Sequence, residues 1–297
     1  TNLLTQGYNG SSNFSINIFV SGEFGNKLTG RTDFDKYQSA AKTMENFLVH
    51  PQGAATRRVG TQFIASVKTA SAKTRLIPFE FSTTQTYILE FGNNYIRFFK
   101  DKGQILSGGS AYEISTPYLT AELFDIKFAQ SADVMYLTHP NHDVRKLSRT
   151  GHTSWNLATV SFSGSPSLPI SGADNRPSSV SFYEQRLAFA GTNNNPQTIW
   201  FSKAGDYENF TTGTNADDAM IYTIASNQVN AIRYLKAQRT LIVGTTGGEF
   251  TVSADGTDAA ITPTNVTIKK QSSYGSANVD AQPAGNAVLF LQKAKRK

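Results

Sequence analysis

The feature that most constrains this sequence is a pair of strand-like segments, the second strongly apolar, that returns roughly every 50 residues. The apolar segments are YILE, VMYL, LAFA, LIVG and VLFL, which begin at Tyr87, Val134, Leu187, Leu241 and Val288. The last four follow the segments IKFAQ, VSFYE, IRYLK and VDAQP, which begin at Ile126, Val180, Ile232 and Val279. Short turns such as residues 131–132 and 237–238 separate the two members of a pair, so each unit predicts antiparallel strands.

A repeat of this length is typical of four-stranded propeller blades, which stack because one blade cannot bury both of its faces. We therefore expect an all-β fold, a β-propeller-like array of blades over residues 74–297. A chance spacing within another all-β fold is the alternative. The last unit ends after its second strand, so we expect the rest of that blade in a longer form of the protein.

Residues 1–73 lack the repeat and are expected to form an N-terminal arm or platform. Within them, residues 33–49 have moderate helix propensity and residues 51–55 (PQGAA) predict a turn. Residues 56–61 are expected to form a loop, and residues 62–68 a strand that leads into the repeats. In the first repeat, residues 92–94 (GNN) predict a hairpin turn between two strands.

Composition narrows the possible functions. The chain is 39% hydrophobic and 17% charged, which is too apolar for a disordered protein, and its apolar runs are too short to cross a membrane. Without cysteine it has no disulfide and no thiol chemistry. Most of the net charge of +6 lies after residue 264, on Lys269, Lys270, Lys293, Lys295, Arg296 and Lys297. We interpret this charge as a solvated tail, with a phosphate-binding patch as the alternative.

Candidate catalytic groups are few. His139, His142 and Asp143 form the tightest polar cluster, but Pro140 between the histidines forces a turn and no third ligand is evident. A solvated turn is therefore favoured over a metal site. Carboxylates that could pair for acid and base chemistry give only a weak signal: Glu80, Glu90, Asp206, Glu208, Asp217 and Asp218. No nucleophile elbow or phosphate-binding glycine loop occurs, so we expect no catalytic residues, cofactor or metal.

Several longer strings resemble one family. They are SGEF (residues 21–24), LTGRTDFDKY (28–37), ENFLVHPQGAATRRVGT (45–61), RLIPFEFS (75–82), QSADVMY (130–136), RLAFAGTNNNPQTIW (186–200), GDYENF (205–210) and TIASNQVNAI (223–232). Together they resemble the tail nozzle, or tail tubular protein B, family of short-tailed bacteriophages (podoviruses). Two strings depart from the family pattern. Residues 21–24 read SGEF in place of the usual GGEL, and residues 57–60 read RRVG in place of RRPG, where the loss of the proline removes some loop rigidity.

The resemblance implies a non-enzymatic structural subunit in the tail of the virion, assembled as a hexameric ring. It also implies contact with the tail adaptor (gatekeeper) protein, with tail fibres as a further partner, and DNA that passes through the lumen without sequence readout. No membrane span is expected. The family-motif residues that become candidates for assembly contacts are Gly30, Arg31, Asp33, Tyr37, Asn46, Pro51, Gly53, Arg57, Arg58, Gly60, Asn193, Asn194, Asn195 and Pro196.

Two other classes of function remain as alternatives. One is an envelope-polysaccharide hydrolase on a propeller scaffold, suggested by Asp206, Glu208 and the aromatic residues near Trp200. The other is a receptor-binding adhesin. Turnover of polysaccharide would distinguish the hydrolase, and direct binding to cells or glycans would distinguish the adhesin.

Overall fold

The computed structural model describes residues 17–164, 166–225, 228–256 and 259–293. Contacts divide the chain into two compact units, Thr1–Phe63 and Ile64–Lys297, which we call the N-terminal unit and the sheet unit. The described residues form antiparallel sheets and two short 3-10 helices, which confirms the expected all-β class. None of the helices in these ranges has the length and apolarity that crossing a bilayer requires. The domain boundary expected at residue 73 stays a prediction.

The N-terminal unit contains little regular structure. Its elements are the 3-10 helices η1 (Asn26–Leu28) and η2 (Asp35–Ser39) and the strands β1 (Phe47–Val49) and β2 (Ala55–Arg57). The two strands form an antiparallel hairpin that pairs Phe47 with Arg57. The turn between them lies where the sequence predicted it, and the Gly53 N–H donates to the His50 carbonyl at 2.9 Å.

Two expectations for this end of the chain were wrong: the expected loop over residues 56–61 begins within β2, and the strand expected over residues 62–68 is not formed. The stretch 33–49, with its moderate helix propensity, contains the five residues of η2 and ends in β1. Between these elements Ala40 and Ala41 are extended, because Ala41 exchanges backbone hydrogen bonds with Gly22 and Phe24. A short helix has too few hydrogen bonds to offset its nucleation cost, so this tertiary pairing prevails. Residues 62–68 form no strand, and the Lys68 N–H lies 3.4 Å from a carboxylate oxygen of Glu90.

The sheet unit begins with a five-stranded sheet in the order β3-β4-β5-β6, in which β9 also pairs with β5. A small hairpin of β7 and β8 lies in the connection to β9. The strands are β3 (Arg75–Glu80), β4 (Thr86–Gly92), β5 (Tyr95–Lys100), β6 (Gly103–Gln104), β7 (Leu106–Ser107), β8 (Ser110–Ala111) and β9 (Glu113–Ser115). The GNN turn between β4 and β5 is present, with Asn94 at a φ of 63°.

Three four-stranded meanders follow, each with its strands paired in chain order. The second sheet contains β10 (Lys127–Ser131), β11 (Val134–His139), β12 (His142–Gly151) and β13 (Ser154–Thr159). The third contains β14 (Ser179–Tyr183), β15 (Arg186–Ala190), β16 (Thr198–Phe201) and β17 (Met220–Thr223). The fourth contains β18 (Ile232–Ala237), β19 (Leu241–Thr245), β20 (Gly248–Ser253) and β21 (Thr267–Ser272), and the hairpin of β22 (Gln282–Ala284) and β23 (Ala287–Leu289) comes last.

The repeated apolar segments are the second strands of these sheets, as predicted: β4, β11, β15, β19 and β23. Tight turns join several of them to the preceding strand. Between β14 and β15, Glu184 and Gln185 both have positive φ, at 46° and 59°, which matches the right-handed twist of a two-residue hairpin. The turn between β10 and β11 likewise places Ala132 at a φ of 48°.

The second strands β11 and β15 are apolar on both faces because the second and third sheets each pack against a neighbour on each side. In β15, Leu187 and Phe189 belong to a cluster shared with the second sheet, whereas Ala188 and Ala190 belong to a cluster shared with the fourth. In β11, Met135 and Leu137 face a cluster shared with the first sheet. Each hydrophobic cluster therefore lies between two consecutive sheets, and the first strands β10, β14 and β18 contact one another in sequence.

The expectation of a solvated basic tail needs correction. Lys269 and Lys270 lie on β21, because this segment completes the fourth sheet by pairing with β20, although both side chains are exposed. Lys293 is exposed near the end of the described chain, and Lys295, Arg296 and Lys297 lie outside the described residues.

Candidate functional site

The N-terminal unit carries most of the family-motif residues, and its surface is unusually apolar. Among its described residues, the only buried hydrophobic side chains are those of Ala40 and Ala41. Nine large hydrophobic side chains are exposed: Ile18, Val20, Leu28, Phe34, Phe47, Leu48, Val49, Val59 and Phe63. Val59 is 84% exposed and Phe63 is 78% exposed. Nine large exposed apolar side chains among residues 17–63 offer apolar surface for contact with another molecule.

The hairpin of β1 and β2 organises one part of this surface. Arg58 closes the hairpin base: its backbone N–H donates to the Asn46 carbonyl, and its Nε donates to Asn46 Oδ1, both at 2.8 Å. Asn46 adopts a φ of 63°, which asparagine tolerates better than most residues. Arg57 is exposed on β2 opposite Phe47. Of the two arginines, Arg58 has a defined structural partner.

Pro51 and Gly53 lie in the turn at the hairpin tip. The backbone conformation at residue 53 is one that favours glycine. Gly53 has a φ of 100°, and its carbonyl accepts a hydrogen bond from the Phe19 N–H at 2.7 Å. A Cβ at this position would lie 3.1 Å from the Ile18 side chain. By contrast, a Cβ on Gly30 or Gly60 would meet no atom within 4 Å. Gly53 is therefore needed by the fold of the unit itself.

The segment 28–37 is held by its own polar contacts. Arg31 donates to both carboxylate oxygens of Asp33, at 2.8 and 2.7 Å, and this exposed pair raises the pKa of Arg31 and lowers that of Asp33. The Tyr37 hydroxyl donates to the Thr29 carbonyl at 3.2 Å, and its ring packs edge-on against Phe24. The Phe24 that departs from the family pattern thus belongs to the aromatic contacts of this segment.

The remaining candidates, residues 193–196, lie in the sheet unit and serve as a structural brace. Asn193 and Asn194 donate through their amides to Asp174 and Asn175, at 3.1 and 3.0 Å. The Asn195 N–H donates to Thr192 Oγ1 at 2.9 Å, and the Pro196 carbonyl accepts from the Ile232 N–H at 2.8 Å. The last bond joins the loop after β15 to the start of β18. These contacts account for the asparagine run within the chain.

The carboxylates suggested for a hydrolase have other partners. Glu208 Oε1 accepts from the Tyr136 hydroxyl at 2.8 Å and from Lys146 Nζ at 2.5 Å. Asp206 lies in the loop after β16. Asp217 and Asp218 both lie near Lys203 Nζ, at 3.5 and 3.2 Å. Glu90 accepts from the Tyr95 hydroxyl at 2.7 Å. Glu90, Glu208, Asp217 and Asp218 are thus each engaged in an ion pair or hydrogen bond within the sheet unit.

The histidine cluster differs most from expectation. His139 at the end of β11 is only 2% exposed, so the expected solvated turn was wrong, because the hairpin directs this ring inward. Glu122, in the turn before β10, completes a group with His139 and His142. Asp143 points elsewhere, accepting from the Gly172 N–H and from Arg176 Nε, at 3.0 and 3.1 Å. The sequence offered no signal for Glu122, which belongs to no motif with the histidines.

The charge states within this group follow from its surroundings. Burial lowers the pKa of His139, which favours a neutral imidazole. Burial alone would raise the pKa of Glu122, but donors from the Leu119 N–H, His142 and Asn141 lower it to about 2. The cluster therefore combines an ionised carboxylate with a neutral buried imidazole.

Comparison with known proteins gave no assignment. No family model matches the sequence, and no curated protein matches it significantly.

Proposed function

We propose that this protein is a structural subunit of a short-tailed bacteriophage tail, forming the distal nozzle through which DNA is ejected into the host. The observation that carries the proposal is the set of exposed apolar side chains on the N-terminal unit, which also carries the longest string that resembles the nozzle family. A subunit of a ring needs such a surface on each copy, because every copy contacts two neighbours. In this proposal the protein is located in the virion tail.

The arrangement of the sheets supports a propeller-like wall for this channel. Consecutive sheets share hydrophobic clusters, and their first strands contact one another, as strands near the axis of a propeller do. The segment before β22 also contacts the start of the second sheet. The Asn278 amide donates to Asp125 at 3.1 Å, and Asp280 lies 3.7 Å from Lys127 Nζ. We therefore interpret each four-stranded sheet as one blade.

The proposed assembly is a hexameric ring that binds the tail adaptor, with tail fibres as a further partner. Its subunit contacts are heterologous, so one apolar surface must meet a different surface on the next copy. The exposed side chains of Val59 and Phe63 are the strongest candidates on the N-terminal unit, because they are large and nearly fully exposed. The role is non-enzymatic and needs no cofactor.

The test is the assembly state of the full-length protein, with and without its adaptor ring. We expect particles with six-fold symmetry and an open centre in class averages viewed along the axis, and a matching mass by mass photometry. Val59→Asp should abolish the ring, because it places a charge in an apolar contact. The matched control is Val229→Asp in the sheet unit, where Val229 is 75% exposed.

The outcomes separate the alternatives. A ring that tolerates Val59→Asp as well as Val229→Asp would contradict the interface assigned to the N-terminal unit. A monomer that never joins an adaptor would contradict the nozzle role, and glycan binding or polysaccharide turnover would then support the adhesin or the hydrolase.

DNA should pass through the proposed channel without tight binding, because adhesion of phosphates to the wall would slow ejection. We expect the purified ring to bind duplex DNA weakly at physiological salt, and an electrophoretic mobility assay would measure this. Tight binding under those conditions would contradict the channel lumen proposed here.

A further inference from the structure

Three side chains of types that commonly bind metal ions form a compact group at the β11–β12 hairpin. His139 ends β11 and His142 begins β12, with Pro140 and Asn141 forming the turn between them. Glu122 lies in the turn just before β10. One ligand atom from each of the three residues lies within 4.8 Å of the other two. From this geometry we propose that Glu122, His139 and His142 bind a divalent transition-metal ion, with Zn²⁺ as the best fit.

The ligand set favours zinc over the common hard cations. Two imidazoles and one carboxylate suit zinc and related transition ions, whereas Mg²⁺ and Ca²⁺ prefer sites made of oxygen ligands alone. With zinc bonds of about 2.0 to 2.2 Å, the ligand atoms of a tetrahedral site lie about 3.3 Å apart. His142 Nε2 and Glu122 Oε2 are now 2.8 Å apart in a hydrogen bond, so a small separation of the two side chains would admit the ion.

A second observation is independent of this clustering. His139 is buried, and within the described part of the chain its Nε2 atom has no hydrogen-bond partner. The hydroxyl of Tyr118, whose ring packs edge-on against His142 with centroids 5.2 Å apart, is also buried without a partner there. Buried polar atoms are nearly always paired, and leaving one unpaired costs stability. If the ring proton moves to Nδ1, a bound ion would provide the partner that Nε2 lacks.

Binding requires a defined change at His139. Its Nδ1 now accepts the Asn141 N–H at 3.0 Å, which places the ring proton on Nε2. The nitrogen that binds an ion must present a lone pair, so either Nδ1 turns to the ion or the proton moves from Nε2 to Nδ1. Both routes give up the hydrogen bond from Asn141. Metal binding should therefore move the turn at Pro140 and Asn141.

The consequence is a cross-link within the sheet unit. An ion held by these three residues would join the segment before β10 to the β11–β12 hairpin. Three protein ligands also leave the fourth position of a tetrahedral zinc site open to water. The assignment goes beyond the tail-nozzle role and does not depend on it.

The experiment uses the untagged full chain, freed of metal with a chelator and then titrated with ZnCl₂ in a calorimeter. We expect one ion per chain and a higher melting temperature after loading. Co²⁺ in place of zinc should give the visible absorption bands of a tetrahedral site. In an amide NMR spectrum, the Asn141 signal should shift on loading.

Two variants test the ligands, and a third serves as the control. His142→Gln and Glu122→Gln should each weaken zinc binding by about tenfold or more, and both side chains are partly exposed, so folding should survive. His50→Gln, which changes a histidine of the N-terminal unit, is the matched control and should bind zinc as the wild type does. Circular dichroism of each variant verifies that it is folded.

Two results would overturn the proposal. One is a folded wild-type chain that takes up no stoichiometric zinc or cobalt. The other is binding that persists unchanged in both His142→Gln and Glu122→Gln, which would place the ion elsewhere on the chain. Neither result bears on ring assembly, which is measured separately.

Discussion

The two units of this chain use apolar residues in opposite ways. In the sheet unit, residues such as Phe189 and Trp200 are completely buried in clusters between sheets. In the N-terminal unit, the large apolar side chains are exposed and only two alanines are buried among its described hydrophobic residues. The described part of the N-terminal unit, residues 17–63, therefore gains little stability from apolar burial. The difference teaches that similar residue types stabilise the fold in one unit and remain free for contacts in the other.

The test with the largest expected effect replaces one phenylalanine by alanine in each unit. Phe189→Ala should lower the free energy of unfolding by about 3 to 5 kcal/mol, because it leaves a cavity between two sheets. Phe63→Ala should change it by less than about 0.5 kcal/mol, because the ring is exposed. Both tryptophans lie in the sheet unit, so urea unfolding is followed by far-ultraviolet circular dichroism, to which both units contribute. Equal losses would mean that the N-terminal unit has a core of its own.

Two arginines offer the next comparison. Arg186 is buried, and its Nη1 donates to the carbonyls of Ser202 and Asp218, at 2.8 and 2.7 Å. Arg186→Leu should cost about 3 kcal/mol, because these carbonyls lose a charged donor. Arg31→Leu in the N-terminal unit should leave stability unchanged, since its ion pair with Asp33 is fully exposed. Urea midpoints compare the two, and a stable Arg186→Leu protein would contradict the bracing role of Arg186.

A pair of glycines sharpens the contrast within the N-terminal unit. Gly53→Ala should destabilise the β1–β2 hairpin by about 1 to 2 kcal/mol, because alanine is strained at a φ of 100° and its Cβ would crowd Ile18. Gly60→Ala should have no such effect, because its added methyl group meets open space. Hydrogen exchange of the hairpin amides measures the difference. Unchanged protection in Gly53→Ala would show that the hairpin tolerates a different backbone.

The smallest expected effect is a pH dependence confined to the sheet unit. Burial and the hydrogen bond to Glu90 raise the pKa of Tyr95 to about 12, above the ordinary value of about 10. The neutral phenol stabilises the fold, so its contribution is complete below pH ~10 and is lost as the pH rises toward 12. The stability difference between wild type and Tyr95→Phe should shrink over that range. A constant difference in urea midpoints would contradict this role of Tyr95.

Much of the sheet unit could be predicted from the sequence because strand pairing there is local. The apolar segments from Tyr87 to Val288 lie in second strands, each joined by a short turn to its predecessor. In the N-terminal unit, the moderate helix propensity of residues 33–49 corresponds only to the five residues of η2. There, Ala41 pairs with residues 22–24, a contact between separated segments that no local propensity encodes.

The candidate sites likewise divide into features that the sequence showed and features that only the folded chain shows. The motif residues of the N-terminal unit were found as strings, but their exposure became evident only in the folded chain. Glu122 was missed because it lies well before His139 in the sequence, and only the packing of the turn against the β11–β12 hairpin brings them together. Asp143, adjacent to His142, points to Arg176 instead, because successive residues of a strand face opposite sides.

The packing of a strand between two hydrophobic clusters has a consequence for how the sheet unit unfolds. Since alternate residues of β15 belong to different clusters, separating the third sheet from either neighbour exposes apolar surface on both partners. A sheet cannot melt alone without removing one wall from each adjacent cluster. We therefore expect the sheets to unfold cooperatively in a single transition, and to resist a pulling force collectively until they give way together.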